Sequence, residues 1–191
     1  MNENAQKDNR TRVEIEREAT VCRRLFEDKT RDYGTAWRVL RLPSLTDQIY
    51  IKACRIRTLQ DGGENRVGDD VRGEFVAMVN YAVMALMQLS LTDDAPIYLP
   101  LDEALRLYDA ALQRPLTLML DKNHDYDEAW RRMRVSSMLD LILMKILRIK
   151  QIEDNSGSTL VSEGVEGGYM DIVNYSLFCL VRLAEEEQNN G

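Results

Sequence analysis

The chain has 191 residues and a net charge of −7, and its composition is 45% hydrophobic and 30% charged. This length suffices for one large domain or two small ones with a substantial buried core. The negative charge argues against duplex nucleic acid and an anionic membrane surface as main partners, since both attract basic surfaces. A small anionic ligand is compatible with it, because such a ligand needs only a local positive site.

Three isolated cysteines, Cys22, Cys54 and Cys179, form no CxxC pair. This usage is typical of a reducing cytoplasm, where we expect the protein to act. The most apolar segment, residues 75–91, is shorter than the roughly 20 residues that span a bilayer, and it contains Asn80 and Gln88. We therefore expect a buried core helix there, and no membrane partner.

A tandem repeat organises the chain. The string DKTRDYGTAW at residues 28–37 returns as DKNHDYDEAW at residues 121–130, and 15 of 36 pairs are identical when 26–61 is aligned on 119–154. After a Gly-rich loop the offset changes from 93 to 94. Such self-similarity indicates a duplicated structural unit. We predict two helical repeats, residues 1–97 and 98–191, which pack together as an internal pseudo-dimer.

Each repeat predicts three long helices, and no segment shows the alternation of a strand. In chain order they cover residues 13–29, 45–60 and 71–90 in repeat one, and residues 100–120, 138–153 and 167–187 in repeat two. Pro115 should kink or break the first helix of repeat two. The repeated DY turn and a short helical piece at the tryptophan separate the first helix from the second. The fold class is all-α, a tandem-duplicated helical bundle.

The start of each second helix carries the spacing of a capping box. Ser44 precedes Asp47 by three residues, and Ser137 precedes Asp140 in the same way. On a helical wheel both aspartates point away from the lysine described next. We therefore expect structural caps here rather than metal ligands.

Basic residues interrupt the apolar stripe of each second helix. At 100° per residue, the stripe falls within about 60° of arc and contains Leu45, Ile49, Lys52 and Ile56 in repeat one and Met138, Ile142, Lys145 and Ile149 in repeat two. Arg55 and Arg148 follow their lysines by three residues, on the adjoining edge of the same face. Buried cations are costly unless an anion meets them.

The anion is supplied either by the protein or by a ligand. A protein partner is Asp32 or Asp125 from the DY turn, or Glu74 or Asp171 on the third helix. A ligand partner would be a phosphate, for which Arg offers a planar fork and Lys a point charge. The two alternatives can coexist.

Acid and amide groups recur at spacings of three on the third helix. The three positions hold Glu74, Ala77 and Asn80 in repeat one, and Gly168, Asp171 and Asn174 in repeat two, so each repeat keeps one acid and the amide. Carboxylate and amide oxygens suit Mg²⁺, which takes one or two carboxylates together with substrate phosphates. The alternative is that the carboxylates only neutralise Lys52 and Lys145. Trp37 and Trp130 can stack a base, or they belong to the core.

The combined pattern K-x-x-D-Y-G-x-x-W, D-x-x-x-x-K-x-x-R-I and N-Y resembles the nucleotide modification associated domain 1 family. The matching residues are Lys29, Asp32, Tyr33, Gly34, Trp37, Asp47, Lys52, Arg55, Ile56, Asn80 and Tyr81, and Lys122, Asp125, Tyr126, Trp130, Asp140, Lys145, Arg148, Ile149, Asn174 and Tyr175. They cover most of both repeats.

That family is similar to a distant branch of the all-α nucleoside triphosphate pyrophosphohydrolases, the MazG-like group. The resemblance implies a MazG-like bundle, Mg²⁺, a nucleotide ligand, and sites where two helical units face each other. In that group acidic residues occur in pairs, and neither repeat of this chain keeps a complete pair on its third helix. Glu74-x-x-Ala77 and Gly168-x-x-Asp171 keep one acid each, so one acid site would combine Glu74 with Asp171.

Two functions follow as hypotheses. The first is a nucleotide-binding protein, in which Glu74 and Asp171 hold Mg²⁺ and, in an enzyme, promote attack of water on an α–β phosphoanhydride. Its ligand contacts would be Lys52, Arg55, Asp32, Tyr33, Trp37 and Asn80, with Lys145, Arg148, Asp125, Tyr126, Trp130 and Asn174 in the second copy. The second is a non-catalytic interaction module with structural ion pairs and no open cleft beside them. We also expect a homodimer.

Overall fold

A computed structural model describes residues 3–64, 70–92, 94–126, 128–159 and 164–190. Within those residues, the side chains of residues 3–8, 122–126 and 190 are not described. These parts of the chain form six long helices and contain no strand, so the all-α prediction is confirmed. None of the helices described is both long and apolar enough to cross a membrane.

The six α-helices follow one another in the order of the two repeats. Their bounds are α1 Glu3–Tyr33, α2 Leu42–Gln60, α3 Val71–Ser90, α4 Leu101–Tyr126, α5 Val135–Asp154 and α6 Val165–Asn190. A short 3₁₀ turn follows α1 at Ala36–Val39, and another follows α4 at Ala129–Arg132. The predicted boundary between residues 97 and 98 falls in the connection between α3 and α4.

Equivalent helices of the two repeats contact each other: α1 packs on α4, α2 on α5 and α3 on α6. Within each repeat the second helix also packs on the third. Helices α2, α3, α5 and α6 therefore form the centre of the bundle. The predicted internal pseudo-dimer is consistent with these pairings.

Helix α3 lies in the core, as its uniform apolar sequence predicts. Phe75, Met78, Val79 and Leu86 are all fully buried, although they point to different sides of the helix. A helix that is apolar all round requires burial all round. Contacts with α2, α4, α6 and α1 supply that burial.

Pro115 does not break the first helix of repeat two, because α4 runs without interruption through it. Proline removes one backbone hydrogen bond. Buried Leu112, Leu116 and Met119 nevertheless hold both sides of the helix against the core. The predicted break is therefore wrong, while the alternative of a kink stays a prediction.

The predicted capping boxes are also wrong. Helix α2 begins at Leu42 after Arg41, and α5 begins at Val135 after Arg134, so both serine-aspartate pairs lie inside the helices. Pro43 explains the early start of α2, since its fixed φ suits the first turn. The aspartates instead join the repeats: Asp47 pairs with Lys150, and Asp140 pairs with Arg57 at 2.6 Å.

Candidate functional site

The cations of α2 are neutralised by one buried carboxylate from α3. Glu74 is 2% exposed; Lys52 Nζ lies 2.9 Å from its Oε2, and Arg55 Nη1 donates to its Oε1 at 2.7 Å. Asp32, the other proposed partner in repeat one, is exposed on the end of α1. Of the two protein alternatives, the structure shows the acid of the third helix.

In repeat two, the lysine of the second helix is neutralised by a carboxylate at a different position of the third helix. Lys145 Nζ lies 2.6 Å from Asp171 Oδ2, and both side chains are about one-fifth exposed. The position equivalent to Glu74 holds Gly168, where a Cβ would lie only 2.8 Å from Ile149 Cγ1. Close packing of α6 on α5 thus leaves no room for an acid there, and the partner moves one turn along α6. Arg148 is exposed.

The donors do not fit the expected Mg²⁺ site. Glu74 already binds two cations, and Asp171 already binds Lys145. Across the described ranges, no three His, Cys, Asp or Glu side chains gather in a group that could hold a metal. Mg²⁺ in proteins is usually bound by one or two carboxylates together with water and substrate phosphate, and here it would have to displace Lys52 and Arg55, or Lys145, from the acids.

The repeated motif lines a pocket of about 200 Å³ in repeat one. Its walls come from the end of α1, the DYG turn, the following 3₁₀ turn and one face of α3. The motif residues that line it are Lys29, Tyr33, Gly34, Trp37, Asn80 and Tyr81. Apolar residues complete the lining: Leu25, Phe26, Ala36, Leu40, Ala77 and Met84, together with Thr30. Of the ligand contacts predicted for repeat one, Tyr33, Trp37 and Asn80 line the pocket, whereas Lys52, Arg55 and Asp32 do not.

Asn80 also fixes the back of the pocket. Its Nδ2 donates to the carbonyl of Cys22 at 3.1 Å, and its Oδ1 accepts a hydrogen bond from the Tyr108 hydroxyl at 2.6 Å. Burial raises the pKa of Tyr108 well above its ordinary value, so the hydroxyl keeps the proton that it donates. Asn80 thereby joins α3 to α1 and α4.

Its counterpart Asn174 makes only half of these bonds. Asn174 Nδ2 donates to the carbonyl of Pro115 at 3.0 Å, as Asn80 does to Cys22. Its buried Oδ1 has no hydrogen-bond partner within the described part of the chain. The position equivalent to Tyr108 holds Ile15, which has no hydroxyl to donate.

The two tryptophans lie in different surroundings. Trp37 lines the pocket, with the ring of Phe26 tilted by 59° at a centroid distance of 6.4 Å. Trp130 is 6% exposed and stacks on Phe178 at 4.4 Å with an interplanar angle of 6°. The guanidinium carbon of Arg131 also lies 4.4 Å from the centre of the Trp130 ring. Trp130 is therefore a core residue, whereas Trp37 borders open space.

The DYG turn is held by residues to which the sequence assigned no role. Gly34 has a φ of +61°, and a Cβ there would lie 3.3 Å from the ring of Tyr98. Thr35 donates to the carbonyl of Ile97 at 2.6 Å, and Arg38 Nη2 donates to the carbonyl of Ala95 at 2.8 Å. These bonds fix the connection between α3 and α4 beside the pocket. The identity of Arg38 with Arg131 in the repeat was the available signal.

Two predicted site residues of repeat two, Asp125 and Tyr126, have side chains outside those described, as does Lys122. The structure therefore gives no partner for them. Of the other predicted residues, eight divide between two places, whereas Asp32 and Arg148 are exposed, Trp130 lies in the core and Asn174 bonds to Pro115. The ion-pair clusters hold Lys52, Arg55, Glu74, Lys145 and Asp171, while the pocket holds Tyr33, Trp37 and Asn80.

The family model described as nucleotide modification associated domain 1 matches residues 29–89 and again residues 122–183. The two matched segments coincide with the two repeats. No curated protein and no solved structure matches the chain. The MazG-like arrangement accordingly stays a prediction.

Proposed function

This chain belongs to the nucleotide modification associated domain 1 family, and we propose that it binds a nucleotide, with the base in the pocket of repeat one. The observation that carries the proposal is that the repeated motif lines this pocket. Stacking of a base between aromatic and apolar side chains is a common mode of recognition. Trp37, Phe26 and Tyr81 provide such surfaces.

The size of the pocket fits a base rather than a whole nucleotide. Its volume of about 200 Å³ lies below the roughly 300–1,000 Å³ of pockets that enclose drug-sized ligands. One planar ring system fills such a space. The sugar and the phosphates would then lie at the mouth, in contact with the exposed end of α1.

The mouth offers a suitable cation. Lys29 lines the pocket and is exposed, and a lysine ammonium is a common point charge for phosphate. Tyr33 lies beside it, with 69% of its surface exposed. Phosphate contacts therefore fall to Lys29 in this proposal, because Glu74 already engages Lys52 and Arg55.

The ion pairs of the two acidic residues favour nucleotide binding without hydrolysis. The predicted catalytic residues Glu74 and Asp171 are bound to cations of their own repeats, and their donor set does not fit Mg²⁺. We expect no pyrophosphate or phosphate release from dATP, dGTP, dCTP or dTTP in the presence of Mg²⁺. Release from any of them would restore the enzyme hypothesis.

The binding proposal is tested by thermal denaturation with the four deoxynucleoside triphosphates, their monophosphates and their nucleosides. A ligand at 100 times its dissociation constant stabilises by about 2.7 kcal/mol, which raises Tm by about 5–10 °C in a chain of this size. Lys29→Ala should reduce the shift for phosphorylated ligands and spare that for nucleosides. Arg24→Ala is the matched control, since Arg24 is an exposed cation of α1 outside the pocket lining.

The second candidate is a helical interaction module. The direct ion pairs of Lys52 and Lys145 with protein carboxylates favour it, because they remove the need for a ligand anion. Absence of a thermal shift with every nucleotide, nucleoside and monophosphate would decide for this candidate.

We further propose a homodimer that acts in the cytoplasm. Ile51 of α2 and Met144 and Leu147 of α5 are exposed on helices that pack against each other, which supports burial of this apolar surface by a second copy. The three unpaired cysteines suit a reducing compartment. Light scattering should give the mass of two chains for the parent protein and the mass of one chain for the variant Met144→Lys.

A further inference from the structure

We propose that ligand binding is confined to repeat one, because Phe178 closes the equivalent position in repeat two. This inference rests on the proposed function and specifies it further: one ligand per chain rather than two. Matched positions of α3 and α6 differ in the side chains that carry it.

Four residues of α3 line the pocket, and their counterparts on α6 differ at two places. Asn80 and Tyr81 recur as Asn174 and Tyr175. The two small or flexible residues do not recur, since Ala77 becomes Asp171 and Met84 becomes Phe178. Repeat two thus keeps the polar residues of this helix face and replaces the two that leave room.

Phe178 occupies the surface that a base would need. Its ring lies parallel to Trp130 at 4.4 Å, which is stacking distance, and only 8% of Phe178 is exposed. A base entering here would have to displace that ring from its contact. In repeat one, Met84 and Trp37 instead border the pocket together.

The two repeats contain the same pair of side chains in exchanged positions. Repeat one has Phe26 on α1 and Met84 on α3, whereas repeat two has Met119 on α4 and Phe178 on α6. Phe26 stacks on Tyr108 at 4.4 Å and leaves the ring of Trp37 6.4 Å away. The pocket is therefore open in the repeat whose phenylalanine lies on the first helix, and closed in the repeat whose phenylalanine lies on the third. The total volume of the two side chains is the same in both repeats.

The charge at the second differing position acts in the same direction. Asp171 takes the place of Ala77 and holds Lys145 at 2.6 Å. A base at this wall would have to displace the paired carboxylate, and its displacement would leave Lys145 without its ion partner. Both substitutions on α6 thus oppose the binding of a nucleotide.

Calorimetric titration of the full chain with dATP, dGTP, dCTP and dTTP measures the stoichiometry. We expect one ligand per chain, whereas two per chain would overturn the inference and leave the proposed function standing. The double variant Phe26→Met/Met84→Phe places the pair of repeat two in repeat one, and it should weaken binding at least tenfold. Unchanged affinity would contradict the role of this exchange. The reciprocal variant Met119→Phe/Phe178→Met is the matched control, in which binding at repeat one should persist.

Acrylamide quenching tests the closure without any nucleotide. The chain has two tryptophans, so Trp130→Phe leaves only Trp37, and Trp37→Phe leaves only Trp130. We expect strong quenching of Trp37, weak quenching of Trp130, and a several-fold increase for Trp130 when Phe178→Met is added. Equal quenching of the two tryptophans would show that Phe178 does not close repeat two, whether or not a nucleotide binds.

Discussion

Glu74 shows most clearly how one side chain compensates a charge inside the apolar stripe. It is almost fully buried and binds both Lys52 and Arg55, each of which is about one-quarter exposed. Removing one partner of a buried ion pair leaves the other charge uncompensated. The partial exposure of the two cations lets water recover part of that loss.

Glu74→Gln should therefore lower the free energy of unfolding by about 2 kcal/mol. Asp171→Asn should lower it by at most about 1 kcal/mol, because Asp171 and Lys145 are both partly exposed. Urea unfolding of the two variants and the parent chain measures the difference. Equal losses would show that burial of Glu74 does not set the strength of its cluster.

Glu153 gives the stability a dependence on pH. The hydroxyls of Thr46 and Tyr169 lie 2.8 and 3.1 Å from its Oε1, and burial raises the pKa of its carboxyl above the ordinary value. The folded state therefore holds this proton more tightly than the unfolded state. The resulting stabilisation is full below the unfolded pKa and is lost as pH rises through the folded pKa.

Glu153→Gln keeps an acceptor for both hydroxyls and removes the ionisation. Its stability relative to the parent chain should therefore increase between about pH 4 and about pH 7. Urea unfolding at the two pH values measures this change. A relative stability that stays constant, or that falls, would contradict the assigned direction of the pKa.

At the scale of elements, the approach of α5 to α6 depends on one glycine. A Cβ at Gly168 would lie 2.8 Å from Cγ1 and 2.9 Å from Cδ1 of Ile149. The isoleucine is fully buried, so it cannot move aside into solvent. Overpacking of this kind costs about 1–3 kcal/mol.

We expect that cost for Gly168→Ala, and we expect Ile149→Val to relieve part of it by removing Cδ1. The double variant should be less destabilised than the sum of the two single variants, as measured by urea unfolding. Simple additivity would indicate that the helices separate instead of compressing the isoleucine.

The helices could be predicted from the sequence, but their side-chain partners could not. Apolar periodicity gave all six helices, and the repeat located the lysine in each apolar stripe. Spacing along one helix does not reveal contacts between helices, so Asp47 was expected as a cap although it pairs with Lys150 of the other repeat. The pocket was missed for the same reason, since Trp37 and Met84 lie on separate elements.

At the scale of the whole molecule, the two repeats should unfold as one unit. Every helix of one repeat contacts its equivalent in the other, and two cross-repeat ion pairs join α2 to α5. An isolated repeat would expose the apolar faces that these contacts bury. Opening of one repeat therefore destabilises the other.

The buried thiols test this cooperativity. Cys22 and Cys179 are fully buried, and burial raises the pKa of Cys22 to about 12, so neither reacts unless its surroundings open. In a Cys54→Ser background, which removes the partly exposed thiol, both should be labelled at the same rate as urea increases. Much faster labelling of one would show that the repeats open independently.

In the proposed function, a nucleotide binds beside Trp37 and not beside Trp130. The most direct test is intrinsic fluorescence in the two single-tryptophan chains, titrated with dATP, dGTP, dCTP and dTTP. In Trp130→Phe, at least one nucleotide should quench Trp37 along a saturable curve, since a base stacked nearby changes its emission. In Trp37→Phe, Trp130 should not respond to that nucleotide. Quenching of Trp130 alone, or no saturable response in either chain, would contradict nucleotide binding beside Trp37.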